Sequence, residues 1–114
     1  MPHDALKPIH FDFDKATIRP VDTKVLDASA NWLRENPGYI VLIEGHCDER
    51  GTPAYNLALG ERRAKAALSY LTAQGIRAER ISTVSYGEER PACNDTGETC
   101  WARNRRAQFL VKEQ

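Results

Sequence analysis

Tyr39-Ile-Val-Leu-Ile-Glu-Gly-His-Cys-Asp-Glu-Arg-Gly-Thr-Pro53 and the run that follows it decide the fold. The unbroken apolar stretch predicts a strand over 39–44, buried on both faces. Gly45, Asp48, Gly51 and Pro53 then predict a loop over 45–53. A helix is expected over about 54–73. Leu57, Ala64, Ala67, Leu68 and Leu71 fall on its buried stripe, with Glu61, Arg62, Lys65 and Ser69 elsewhere on the wheel. Gly75 is a natural C-terminal stop.

The segments on either side extend the pattern. Ile9-His-Phe-Asp-Phe13 alternates apolar and polar and predicts a strand. Pro20 opens a helical stretch in which Val25, Leu26, Ser29, Trp32 and Leu33 share one stripe, with Asp27, Asn31 and Arg34 outside it. Asn36-Pro37-Gly38 ends that helix. A third strand is expected over 80–86 and a fourth over 106–112, where Ala107, Phe109 and Val111 share a face. The chain shows no internal repeat, low-complexity tract or linker. It reads as one domain, 1–114, with its core over about 9–112. The class is α/β, a two-layer α+β sandwich with helices packed on a mixed sheet.

Bulk properties narrow the function. The 114 residues suffice for one hydrophobic core. Sixteen basic residues balance 16 acidic ones. Nucleic-acid binders usually carry a basic excess, because counterion release drives that association, so nucleic acid is not an expected partner. The run Tyr39–Ile43 is far below the roughly 20 residues needed to cross a bilayer, so the chain as written is expected to be soluble. Met1-Pro-His-Asp4 has neither the charged nor the apolar region of a signal peptide.

Cys93 and Cys100 bracket the polar loop Asn94-Asp-Thr-Gly-Glu-Thr99. A disulfide between them would close a short ring and stabilise by about 2–3 kcal/mol on chain-entropy reasoning, in an oxidising compartment. The alternative is two reduced thiols that lie close. Cys47 is left over. None of the three sits in a C-x-x-C pair, and His3 and His10 lie far from His46, so no metal site is expected.

Chemistry-bearing side chains are densest in Gly45-His-Cys-Asp-Glu-Arg-Gly-Thr52, between a buried strand and a helix. In open α/β sheets ligands settle in the crevice past the strand's carboxyl end, and a helix N-terminus welcomes a carboxylate. Asp48 adds a fixed negative charge, so the place suits a zwitterion. Arg62 and Arg63 are the candidate carboxylate clamps. They point about 100° apart, so one can face the crevice while the other faces solvent. The plainer readings are an Asx-turn for Asp48 and a surface ion pair for Arg63. A Cys47–His46 nucleophilic pair lacks an orienting partner, and no acid–base pair stands out, so the reading is a binding module without catalytic residues or cofactors. Arg103-Asn-Arg-Arg106 reads as a basic turn whose arginines tie the last strand to neighbouring loops.

The twenty residues Gly45-His-Cys-Asp-Glu-Arg-Gly-Thr-Pro-Ala-Tyr-Asn-Leu-Ala-Leu-Gly-Glu-Arg-Arg-Ala64 resemble the signature of the OmpA-like domain family, and within it the peptidoglycan-associated lipoproteins. Phe11-Asp-Phe-Asp-Lys15, Val84-Ser-Tyr-Gly-Glu88 and Asn104-Arg-Arg-Ala107 agree, so the likeness covers about residues 9–111. It implies a β-α-β-α-β domain with a four-stranded mixed sheet. It also implies non-covalent binding of the meso-diaminopimelate end of the peptidoglycan stem peptide, through Asp48 and Arg63. Family contacts carry over to Phe13, Asp14, Thr52 and Leu59, with Asn56 bracing the loop. The same likeness implies a periplasmic domain that tethers the outer membrane to the wall, and partnership with the Tol system, chiefly its β-propeller protein TolB. Two alternatives accompany it: the wall-binding domain of another OmpA-like envelope protein, and a domain mainly for Tol-protein contacts. The chain departs from the pattern in two ways. Cys93 and Cys100 stand where cysteines are not required, and the lipidated N-terminal cysteine is absent, so an anchor and signal peptide are expected outside this chain.

Overall fold

The computed structural model describes residues 6–114; the expectations for Met1 to Asp4 and for His3 lie outside the described residues. The strands are β1 (Ile9–His10), β2 (Tyr39–His46), β3 (Ile81–Gly87) and β4 (Arg106–Glu113). The helices are α1 (Thr23–Glu35), α2 (Pro53–Ala73) and α3 (Glu98–Asn104). The four strands form one mixed sheet in the order β1-β4-β2-β3. Strands β2 and β3 are parallel, with α2 as the crossover between them, and β4 runs antiparallel to both β1 and β2. The expected class and four-stranded mixed sheet are what the structure shows.

Helix α2 lies unusually close to β2. A Cβ added at Gly45 would sit 1.7 Å from the Gly60 carbonyl oxygen, and one at Gly60 would sit 2.3 Å from Ser85 Oγ. Only two glycines facing each other allow this approach. Ser85 Oγ donates to the Leu57 carbonyl at 2.7 Å and fastens the helix to β3 as well. Below this contact the core is apolar. Leu26, Ala30 and Leu33 of α1 and Ala64, Ala67 and Leu71 of α2 pack on Val41, Ile43, Ala107 and Phe109. Gly75, at φ 96°, closes α2 in the left-handed conformation that its sequence position anticipates.

Several expectations need correction. The first strand was expected over 9–13, yet only Ile9 and His10 pair with β4. Beyond them the chain turns, with Asp14 at φ 59°, because the carbonyls of Asp12 and Lys15 go to Arg63 rather than to a strand. Pro20 opens a short 3-10 turn, Pro20–Asp22, ahead of α1. Leu57 is 41% exposed instead of buried. The inner face of α2 runs Asn56, Gly60, Arg63, Ala64, Ala67, Leu71, and Leu57 stands about 100° off that line. Strand β2 is not buried evenly on both faces: Val41 and Ile43 are in the core while Ile40 and Leu42 are half-buried. A short helix, α3, begins ahead of Cys100 and runs past it to Asn104, where no helix was expected.

Gly45→Ala is expected to destabilise the domain by about 3 kcal/mol, since backbone must move to admit the methyl. Gly38→Ala, where nothing lies within 4 Å of the added atom, is the control and should change little. Urea unfolding midpoints of the two variants check this; equal midpoints would contradict the close-contact account.

Candidate functional site

The last residues of β2, the loop that follows and the start of α2 form one wall of a cavity. The turn after β1 forms another. Phe13, Asp14, Asp48, Asn56, Leu59 and Arg63 all line it. Thr52 stands at its edge as the helix cap, accepting the Tyr55 N–H at 3.1 Å. Leu59 is buried in the cavity wall, and Phe13 is 54% exposed at its mouth. Six of the seven expected side chains therefore share one cavity, and the seventh orders the helix that bounds it.

Asp48 is 4% exposed. Its Oδ1 accepts from the Arg50 backbone N–H at 2.9 Å, which is the Asx-turn geometry, and from Arg50 Nε at 3.3 Å. Its Oδ2 accepts from Arg50 Nη2 at 2.8 Å and from Arg105 Nη1 at 3.5 Å. Burial works to raise the Asp48 pKa. The hydrogen bonds and charge of Arg50, helped by Arg105, outweigh it and hold the carboxyl below its ordinary value. Asp48 is therefore a firm anion, and turn-former and charge are the same residue.

The two arginines divide as the helix geometry anticipates. Arg62 turns outward, its guanidinium 5.8 Å from the Tyr55 ring centroid. Arg63 is 1% exposed. Nε donates to the Lys15 carbonyl at 2.8 Å, Nη1 to His46 at 2.9 Å and Nη2 to Asp12 at 3.2 Å. A guanidinium has five N–H donors. Three are used by these carbonyls, which leaves two without a partner among the described residues. Arg63 thus ties the turn after β1 to the end of β2 while presenting charge to the cavity.

The loop is held in shape by Asn56. Its Nδ2 donates to the Arg50 carbonyl at 2.9 Å and to Glu88 Oε1 at 2.7 Å. The thiol of Cys47 donates to the Asn56 carbonyl at 3.2 Å, and burial pushes its pKa up to about 11. Such a thiol is a poor nucleophile. Tyr55 hydroxyl donates to Asp14, fixing the left-handed Asp14 turn from the helix side.

Three residues at the site, Arg50, Trp101 and Arg105, carried no sequence signal for their exact places. Arg50 lies between two aromatic rings, its Cζ 4.0 Å from the Phe13 centroid and 4.0 Å from that of Trp101. Trp101 comes from α3, where its indole N–H donates to Glu49 Oε2 at 2.8 Å. Arg105 is 6% exposed, donating to the Phe11 carbonyl at 2.8 Å and bridging Asp48 and Glu98. The basic turn is therefore far from solvated at Arg105 and Arg106, although its tie between the last strand and the loops is as expected. Cys93 and Cys100 are joined in a disulfide, and Cys100 lies within α3 next to Trp101, so the bond bears on where Trp101 sits.

A profile of the OmpA family matches residues 10–105. This chain belongs to the OmpA family. Two curated relatives named peptidoglycan-associated lipoprotein show how near the likeness is. The Brucella melitensis protein is 48% identical over 99 residues, covering 87% of this chain and 59% of the relative. The Pasteurella multocida protein is 50% identical over 99 residues, covering 87% of this chain and 66% of the relative. This OmpA-family chain thus spans about three fifths of the length of the first. The crystal structure of the peptidoglycan-associated lipoprotein from Burkholderia pseudomallei superposes with a TM-score of 0.90 at 37% identity, covering 93% of this chain and 90% of that one.

His46, buried, and His10, half-buried, predict a pH response of the domain. Burial first, then the Arg106 charge, lowers the His46 pKa against its 3.1 Å contact with Glu44. Burial likewise lowers that of His10, outweighing Asp22. A histidine with a depressed folded pKa contributes stability above its unfolded value of about 6.5 and loses it as pH falls toward the folded pKa. The melting temperature is expected to fall between pH 7 and pH 5, and His46→Gln should flatten part of that slope, His10 keeping the rest. A pH-independent melting temperature over that window would contradict it.

Proposed function

We propose that this domain binds peptidoglycan without chemistry, gripping the meso-diaminopimelate end of the stem peptide. Asp48 takes the ammonium. Arg63, with its two remaining N–H groups, takes the carboxylate. The observation that carries this reading is the pairing of two buried, opposite, permanently charged groups on one cavity beside a capped helix N-terminus. Burial strengthens both interactions, because the local dielectric is low. Phe13, Asp14 and Leu59 shape the cavity, while Thr52 and Asn56 hold the helix start and the loop. The names of the relatives, peptidoglycan-associated lipoproteins, support the same ligand.

In this reading the protein tethers the outer membrane to the cell wall from the periplasm, held by a lipid anchor on a segment outside this chain. It works within the Tol system, with TolB as its partner. Binding would leave the wall intact, since the cavity offers a buried thiol of raised pKa in place of a nucleophile.

Asp48→Ala should weaken binding of a diaminopimelate-containing muropeptide by about 2–3 kcal/mol, the cost of one buried charge-assisted contact. That is roughly thirtyfold or more in Kd. Calorimetric titration against the unaltered domain reads it directly, and equal affinities would sink the site. Asp48 is the better probe than Arg63, whose removal would also strand three backbone carbonyls.

A further inference from the structure

Asp48 is already occupied. A carboxylate offers about four acceptor positions, and all four have donors: the Arg50 N–H and Nε on Oδ1, Arg50 Nη2 and Arg105 Nη1 on Oδ2. Three of the four come from Arg50. Its guanidinium also lies against ring faces on both sides, Phe13 and Trp101, each 4.0 Å away. A slot with two aromatic walls and a carboxylate floor is a cation site, and this one is filled by the chain's own cation. An incoming ammonium finds no lone pair on Asp48 while Arg50 stays.

Resting on the reading that Asp48 receives a ligand ammonium, we infer that Arg50 is a resident competitor for that position: its side chain leaves Asp48 and the Phe13–Trp101 slot when a cationic ligand enters. The geometry allows the exchange with little disturbance. The Arg50 side chain is 32% exposed and has an open path to solvent. The Arg50 backbone stays in place, because its N–H remains on Asp48 Oδ1 and its carbonyl remains on Asn56. Departure of the side chain alone therefore frees two positions on the carboxylate without turning it. Arg105 stays behind to keep the Asp48 oxygens oriented, itself fixed by Glu98 and the Phe11 carbonyl. Trp101, anchored through Glu49, then becomes a wall of the ligand's own subsite. Arg50 also acts as a filter. A ligand with an ammonium only exchanges one cation for another, whereas a zwitterion gains the Arg63 contact in addition.

Competition of this kind lowers the apparent affinity by the fraction of molecules in which the slot is open. Titration of a muramyl tripeptide carrying meso-diaminopimelate into four forms tests it. Arg50→Ala should bind about tenfold more tightly than the unaltered domain, and Arg50→Lys should fall between them. Asp48→Ala should bind more weakly. Unchanged or weaker binding by Arg50→Ala, with Asp48→Ala still impaired, overturns the competitor and leaves the ligand site standing. Asp48→Ala binding as well as the unaltered domain would remove the site itself. A readout on the unaltered protein covers the case of a variant that fails to fold. The Arg50 Nε–H resonance, shifted by the two rings, should move toward its free-arginine position on saturation with the tripeptide; a resonance that does not move overturns the exchange.

Discussion

A guanidinium carried into a protein interior must be given partners, and Arg63 takes them from three places in the chain. The carbonyls of Asp12, Lys15 and His46 come from the turn after β1 and from the end of β2. Leaving such a charge unpaired would cost several kcal/mol, so these segments are held together as firmly as the charge needs them. The turn that offers Phe13 and Asp14 to the cavity exists because its carbonyls face inward to Arg63. The close seat of α2 on β2, made by Gly45 and Gly60, brings the arginine within reach. Site and scaffold share one interaction here.

Around this tie the charges alternate. Asp48 sits between Arg50 and Arg105, and Arg105 continues to Glu98. Here Asp48 and Arg105 each have an opposite neighbour, one way of meeting the cost of burying charge. The anion at the centre is held ionised by donors from Arg50 and Arg105, so in the proposed reading ligand entry is an exchange of partners and not the filling of an empty seat.

The sequence revealed the class, the strand–loop–helix unit and the side chains of the cavity, because these rest on patterns of apolar spacing and on one long motif. It misplaced residues where polar groups point inward. Helix α2 buries Asn56 and Arg63 on the face turned to the sheet, so an apolar wheel drawn through Leu57 is rotated by about one residue. The first strand ends early for a related reason: its alternation continues to Phe13, but its backbone is claimed by an arginine fifty residues away. Helix α3 escaped notice because seven residues without a side-chain cap carry almost no periodic signal. Its place, and with it Trp101, is fixed by the disulfide and by Arg105, contacts that no local pattern announces.

The strand order β1-β4-β2-β3 puts the last strand of the chain in the interior of the sheet. Ile9 meets Ala107, and Tyr39 meets Glu113, so the pairings that complete the sheet join distant ends of the polymer. Closing such long loops is the slow part of folding. A polypeptide emerging N-terminus first can build β2, α2 and β3 as a local unit, yet Asp48 has no Arg105, and Phe11 no partner for its backbone, until β4 arrives. The ion pair that orients Asp48 thus waits for the segment around Arg105, and a nascent chain not yet extended that far presents the motif before its central carboxylate is braced.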